Sequence, residues 1–168
     1  MLMRGVVMKS ISTGLKLITI GCLIGLTTAI EAPTLAESAN FGTLNLSPGF
    51  SRADGTVRGF TGGSYSLSSI ANRDREDKRC LGFGDTQPDH IMVLQKNFAK
   101  LQLQVDTQGK DTTLVVKGPN NTILCGDDTG ASKDASISAT NWPAGTYEVW
   151  VGTFDASDRW KYILTAQP

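Results

Sequence analysis

Thr112-Thr113-Leu114-Val115-Val116-Lys117-Gly118-Pro119 and Trp142-Pro143-Ala144-Gly145-Thr146-Tyr147-Glu148-Val149-Trp150-Val151-Gly152 decide the fold. In both runs apolar side chains recur at every second position, and Gly-Pro or Pro-Ala-Gly supplies the turn at one end. A period of two puts alternate side chains on one face of a strand. Tyr147, Val149 and Val151 therefore share a face, opposite Glu148 and Trp150. A central sandwich strand is expected to bury one face, and the alternation alone leaves open which. Outward from these runs the pattern repeats. Phe98, Leu101, Leu103 and Val105 are separated by Lys100, Gln102 and Gln104, and Ile123 with Cys125 and Tyr162 with Leu164 continue it. Asp106 to Asp111 and Gly118-Pro119-Asn120-Asn121 provide turn chemistry between the runs. Upstream, Thr43 to Leu46 and Tyr65 to Ser68 read as strands joined through Gly55, Gly59, Gly62 and Gly63. Arg73 to Arg79 (RDREDKR) is a mixed-charge run that reads as a solvated loop. Evenly spaced strands with no long helical period predict an all-β fold, a sandwich or a barrel, and the short runs around a cysteine pair favour a small antiparallel β-sandwich.

The first 36 residues read as a signal peptide rather than as part of that fold. Arg4, Lys9 and Lys16 form a basic start, and Leu17 to Ile30 is an apolar run too short for a spanning helix of roughly 20 residues. Thr34-Leu35-Ala36 places small residues where cleavage requires them, so residues 37–168 are expected to form a single secreted domain. Cleavage after Ala39 and an uncleaved anchor are the alternatives. Cys22 falls inside the apolar segment, with only Gly21 of a lipoprotein-type motif before it. The remaining chain carries 13 basic and 15 acidic side chains. This near balance argues against nucleic acid or a stable anionic-membrane contact, which select basic patches. Cys80 and Cys125 are an even pair in an exported chain, which points to a disulfide. A metal pair would want further Cys or His ligands nearby.

Candidate chemistry is sparse. His90 is the one histidine and opens a strand after Pro88-Asp89; a hydrolase would have to use it as base, but no serine sits in a Gly-x-Ser-x-Gly context. Asp127 and Asp128 are adjacent, so in an extended segment they point to opposite faces, poor geometry for a glycosidase pair. They serve better as oxygen ligands for calcium, with Asp134 from the same Gly/Ser/Thr-containing loop, although Asx-turns would also account for them. Trp142, Trp150 and Trp160 cluster toward the C-terminus with Tyr147 and Tyr162. Core packing is expected for at least two of the tryptophans, and Trp142 or Trp160 is the candidate for stacking on a ligand.

Asp111-Thr112-Thr113-Leu114, Gly118-Pro119, Asp127-Asp128, Ala144-Gly145-Thr146-Tyr147 and Trp150-Val151-Gly152, in this order and spacing, resemble the bacterial pre-peptidase C-terminal domain. The likeness runs from about Pro88 to Tyr162, and Cys80 to Phe83 resembles a short, stand-alone secreted form. The resemblance implies a jelly-roll-like β-sandwich without an active site, in which Pro88-Asp89-His90 belongs to the module's own fold. Some relatives attached to collagenases bind substrate polymers and calcium, with the calcium ligands lying partly in a preceding linker. This chain has no clear acidic counterpart between Glu37 and Ser51. The expectation is a non-enzymatic module, secreted or periplasmic, that binds an extracellular or periplasmic protein or polysaccharide, with calcium as a candidate ligand. The alternatives are a hydrolase or peptidase accessory using His90 and a purely structural envelope protein.

Overall fold

The computed structural model describes residues 38–168, so the signal-peptide reading and Cys22 lie outside the described residues. Eleven strands follow in order: β1 Thr43–Leu46, β2 Thr56–Phe60, β3 Tyr65–Ser66, β4 Phe83–Gly84, β5 His90–Leu94, β6 Phe98–Asp106, β7 Thr112–Lys117, β8 Ile123–Thr129, β9 Ser132–Trp142, β10 Gly145–Thr153 and β11 Lys161–Gln167. The only helical pieces among the described residues are two short 3-10 turns at Leu67–Ser69 and Pro119–Asn121.

The strands form the expected sandwich. One sheet runs β1-β5-β10-β7-β8, with β4 on the far end of β10 and β3 on β4. The other runs β9-β6-β11-β2. Strand β8 joins them: Ile123 to Gly126 pair with β7, and Asp127 and Thr129 pair with β9 across a register shift. Between these pairs β8 advances two residues and β9 four, so the ladder is irregular and bends where β8 passes from one sheet to the other. All pairings are antiparallel except β1 with β5, which is parallel. Leu44, Met92, Leu101, Leu103, Val105, Leu114, Val116, Ile137, Tyr147, Val149, Val151 and Leu164 fill the space between the sheets.

Two of the strands were only faintly written. β9 carries Ala135, Ile137 and Ala139 inward against Ser136, Ser138 and Thr140, so its alternation is real but its inward side chains are mostly small. The stretch holding Asp127, Asp128 and Asp134 reads as one loop for that reason, and β8 and β9 instead form a hairpin turning at Gly130-Ala131. β2 has Gly59 in place of an inward side chain, because a Cβ there would stand 2.4 Å from Tyr162 Oη and 2.8 Å from Phe41 Cδ2. The Gly-Pro turn has a similar cause: a Cβ on Gly118 would lie 2.2 Å from the Tyr147 ring. That ring donates its hydroxyl to Pro143 O at 2.7 Å and packs on Trp142 with centroids 5.4 Å apart.

The expectation that β10 buries one face needs correction. Trp150, Val115 and Cys125 point away from the main core, yet all are buried, in a second small cluster with Leu67 and Cys80. The segment from Leu67 to Cys80 covers this outer face. The Cys80–Cys125 disulfide pins it, with Cα atoms 5.2 Å apart and the two cysteines 45 positions apart in the sequence. The mixed-charge run is likewise more than a solvated loop. Asp74 is buried; its Oδ1 accepts from the amides of Glu76 and Lys78, and its Oδ2 accepts from Cys125 N at 3.1 Å. Arg75 donates to the carbonyls of Thr140 and Asn141. The run is a strap tied to β8 and β9. Replacing both cysteines by serine should cost about 2–4 kcal/mol in denaturant unfolding, because a loop of this length is released in the unfolded chain. A loss below half a kcal/mol would show that the strap holds without the bond.

Candidate functional site

His90 begins β5 and is fully buried, at 0 % exposure. Its Nε2 lies 2.8 Å from Tyr162 Oη on β11, so this hydrogen bond crosses from one sheet to the other. The two rings meet edge to face, and Phe41 covers the histidine from outside with centroids 6.2 Å apart. Burial pushes the imidazole down to about 4, the Gly42 backbone acting weakly against it. Asp89, next in line, is buried as well and accepts from Val151 N at 2.7 Å. Burial raises its carboxyl to about 7, opposed by the Val151 amide and Asn40 and assisted by Asp85. Tyr162 is driven up in turn by burial and by Asp89. A general base must reach the proton it abstracts, and this one is spent on a core hydroxyl.

The carboxylates are arranged otherwise than their spacing implies. Asp127 and Asp128 do not point apart: the register shift between Asp127 and Thr129 breaks the pleat, and both carboxylates join Asp111, at the start of β7, with ligand oxygens within 4.8 Å of one another. Asp134 is not with them. It sits on β9, buried, accepting from Thr107 N at 2.7 Å, from Thr107 Oγ1, and from Gly109 N at 2.9 Å. Those amides belong to the β6–β7 turn, so Asp134 organises that turn and its place in the cluster is taken by Asp111. Asp111 was legible only as the first residue of the Asp-Thr-Thr-Leu run. Burial and the charges of Asp128 and Asp111 raise Asp127 above the usual carboxylate range. Lys133 Nζ, 2.6 Å from Asp111 Oδ2, supplies a local counter-charge.

The same turn leads to Trp160. Lys110, beside Asp111, places its ammonium 4.5 Å from the centre of the Trp160 ring, which is half-buried. Trp142 is corrected as a stacking residue: it is 1 % exposed, donates Nε1 to Ala139 O at 3.0 Å and belongs to the core. The exposed aromatics are others, with Phe154 at 52 % exposure and a pair formed by Phe41 and Phe60. Phe41 and Phe60 are each 38 % exposed with ring centres 6.2 Å apart, and they bound a cleft of about 270 Å³ with Arg58, Gly59, Lys161 and Tyr162. Neither phenylalanine sits in an alternating run strong enough to single it out.

No protein-family model matches the sequence, and no curated protein matches it. The family that the sequence resembles is represented among the solved structures similar to this chain. The pre-peptidase C-terminal domain of collagenase from Bacillus anthracis aligns over 80 % of this chain and 99 % of its own length, at 15 % identity and a TM-score of 0.44.

Burying Asp89 and His90 together gives stability a distinctive pH dependence. His90 binds its proton more weakly folded (about 4) than unfolded (6.5), so its contribution is lost as pH falls from 6.5 toward 4. Asp89 binds its proton more tightly folded (about 7) than unfolded (3.8), so its contribution is lost as pH rises toward 7. Between pH 4 and 6.5 the two slopes oppose, each on the order of 1 kcal/mol per pH unit. Asp89→Asn keeps an acceptor for Val151 and should leave the histidine slope uncovered. Relative to wild type, its unfolding free energy should rise with pH across this window. Parallel profiles for the two proteins would contradict the assignment.

Proposed function

We propose that this chain is a secreted or periplasmic, non-catalytic β-sandwich module that binds an extracellular or periplasmic protein or polysaccharide through the surface built by the β6–β7 turn and the β8–β9 hairpin, with calcium ordering that surface. One juxtaposition carries the reading. Lys110 and Asp111, neighbours in a single turn, connect a half-buried tryptophan to a group of three carboxylates. Asp111, Asp127 and Asp128 fit a hard cation, which takes six to eight oxygens from carboxylates, carbonyls and water. A divalent ion there would relieve the mutual repulsion that raises Asp127 and would compete with Lys133 for Asp111. Trp160, half-buried with Lys110 over its ring, stands at the edge of the same surface. A catalytic reading centred on His90 finds no support in its position, since it is buried beneath Phe41 and bonded to Tyr162.

The test is cosedimentation of the purified, oxidised protein with isolated cell-envelope material, in calcium and in chelator. Saturable binding that chelator weakens, and that Asp127→Asn/Asp128→Asn loses in calcium, is the expected result. Chelation should also lower the melting temperature of the wild type by a few degrees, as ligand linkage requires, and leave that of the double variant unchanged. Binding indifferent to chelator would remove the metal and keep the module; no binding in either condition would overturn the envelope-binding reading.

A further inference from the structure

The Phe41–Phe60 cleft shares no residue with the carboxylate group, and its chemistry is different. Its lining residues include two cations, Arg58 and Lys161, and no carboxylate. Arg159 and Lys161 both stand over the Phe60 ring, 5.2 and 5.9 Å from its centre. No ion pair among the described residues engages Arg58, Arg159 or Lys161. The nearest carboxylate in the lining of the neighbouring depression is that of Asp106, which accepts from Gln108 N at 3.0 Å. Arg58 and Lys161 in the lining, with Arg159 over Phe60, give the cleft a cationic rim, and Asp106 is the carboxylate of the adjoining depression. The cleft itself is preformed. Gly59 lets Phe41 close over Tyr162, and Tyr162 is fixed by His90, so the floor is rigid while the phenylalanine walls stay half open.

We propose that this cleft docks an acidic, extended segment of a partner protein by taking one apolar side chain between Phe41 and Phe60, with the flanking carboxylates meeting Arg58, Arg159 and Lys161. The shape favours a side chain over a sugar ring. The two phenyl planes are inclined at 52° and form walls, whereas a pyranose stacks on an open, flat face. The strand beside the cleft favours an extended peptide, because β2 pairs only with β11 and ends its sheet. Extended segments bind along such edges, with pockets for alternate side chains setting the choice. Charge complementarity then selects acidic flanks and quickens encounter. The inference rests on the reading of the chain as a binding module and adds a second contact, independent of calcium.

The probe is a capped pentapeptide of one leucine with two glutamates on each side, titrated into the isotope-labelled, oxidised protein and followed by amide chemical shifts. Saturable shifts at Arg58 to Phe60 and at Lys161 and Tyr162 are expected, weakening as salt is raised. Phe60→Ala should weaken binding about tenfold or more, as loss of a central aromatic anchor does. Phe60 is exposed enough for the variant to stay folded, which its melting temperature checks; Lys161→Glu is the second variant and should weaken binding by a similar factor. A lysine-flanked peptide, or one with glycine for leucine, should not saturate. Equal binding of the lysine-flanked peptide, wild-type affinity in Phe60→Ala, or no saturation at millimolar peptide would overturn the proposal. So would preferential binding of an acidic oligosaccharide at the same residues. Concentration-dependent self-association that Phe60→Ala abolishes would also overturn it, in favour of a second copy. Envelope cosedimentation of Phe60→Ala separates the two claims. If the peptide fails while envelope binding persists, only the cleft falls; if envelope binding fails while the peptide binds the cleft, only the calcium-ordered surface falls.

Discussion

The hydrogen bond between His90 Nε2 and Tyr162 Oη is the constraint on which much else depends. It joins a strand of one sheet to a strand of the other, in a space from which water is excluded. Buried polar groups that lose a partner cost about 1–3 kcal/mol, so the two residues hold the sheets in one mutual position as well as attracting them. The arrangement dictates its surroundings. Gly59 must lack a side chain for Tyr162 to reach across, Phe41 must lie over the imidazole, and Asp89 must spend its carboxyl on the Val151 amide of the neighbouring strand. The sole histidine of the chain is thereby removed from solvent, and the outer wall of the same cluster becomes an exposed aromatic cleft.

The second organising device is the corner strand β8. It belongs to both sheets, and its register shift does two things at once. It carries the chain round the edge of the sandwich, and it turns Asp128 to the same side as Asp127. The disulfide and the buried Asp74 fasten the Leu67–Cys80 strap to the first half of this strand, at Cys125. The half that bends is left at the surface, where its carboxylates gather with Asp111. Anchoring one half of a strand while exposing the other is an economical way to place charged groups on a rigid support.

Much of this was legible in the sequence and some of it was not, for definite reasons. Strands β6, β7 and β10 announce themselves because large apolar residues such as Leu103, Val116 and Val149 alternate with polar ones. β9 hides because Ala135 and Ala139 carry little apolar weight, although they are inward all the same. The Gly-Pro turn could be read as a turn, but its glycine is explained only by the Tyr147 ring lying against it. The cysteine pair was legible from count and context, while the outer cluster that it closes over Trp150 was not, since a sandwich strand ordinarily buries one face. At the candidate site the adjacent aspartates could be named, but not their convergence, which depends on a bulge that no composition signals. Asp134 shows the opposite failing: it has the right residue type in the right stretch, and its hydrogen bonds turn it to another task.

The claim that His90 is a structural element of the sandwich is tested most directly by following its ring nitrogens by NMR as pH is lowered. A neutral imidazole held by Tyr162 predicts one persistent tautomer, no titration near 6.5 and protonation only toward pH 4, close to acid unfolding. An imidazole that titrates freely near 6.5, with both nitrogens exchanging with water, would contradict the account and return the histidine to the list of groups available for chemistry.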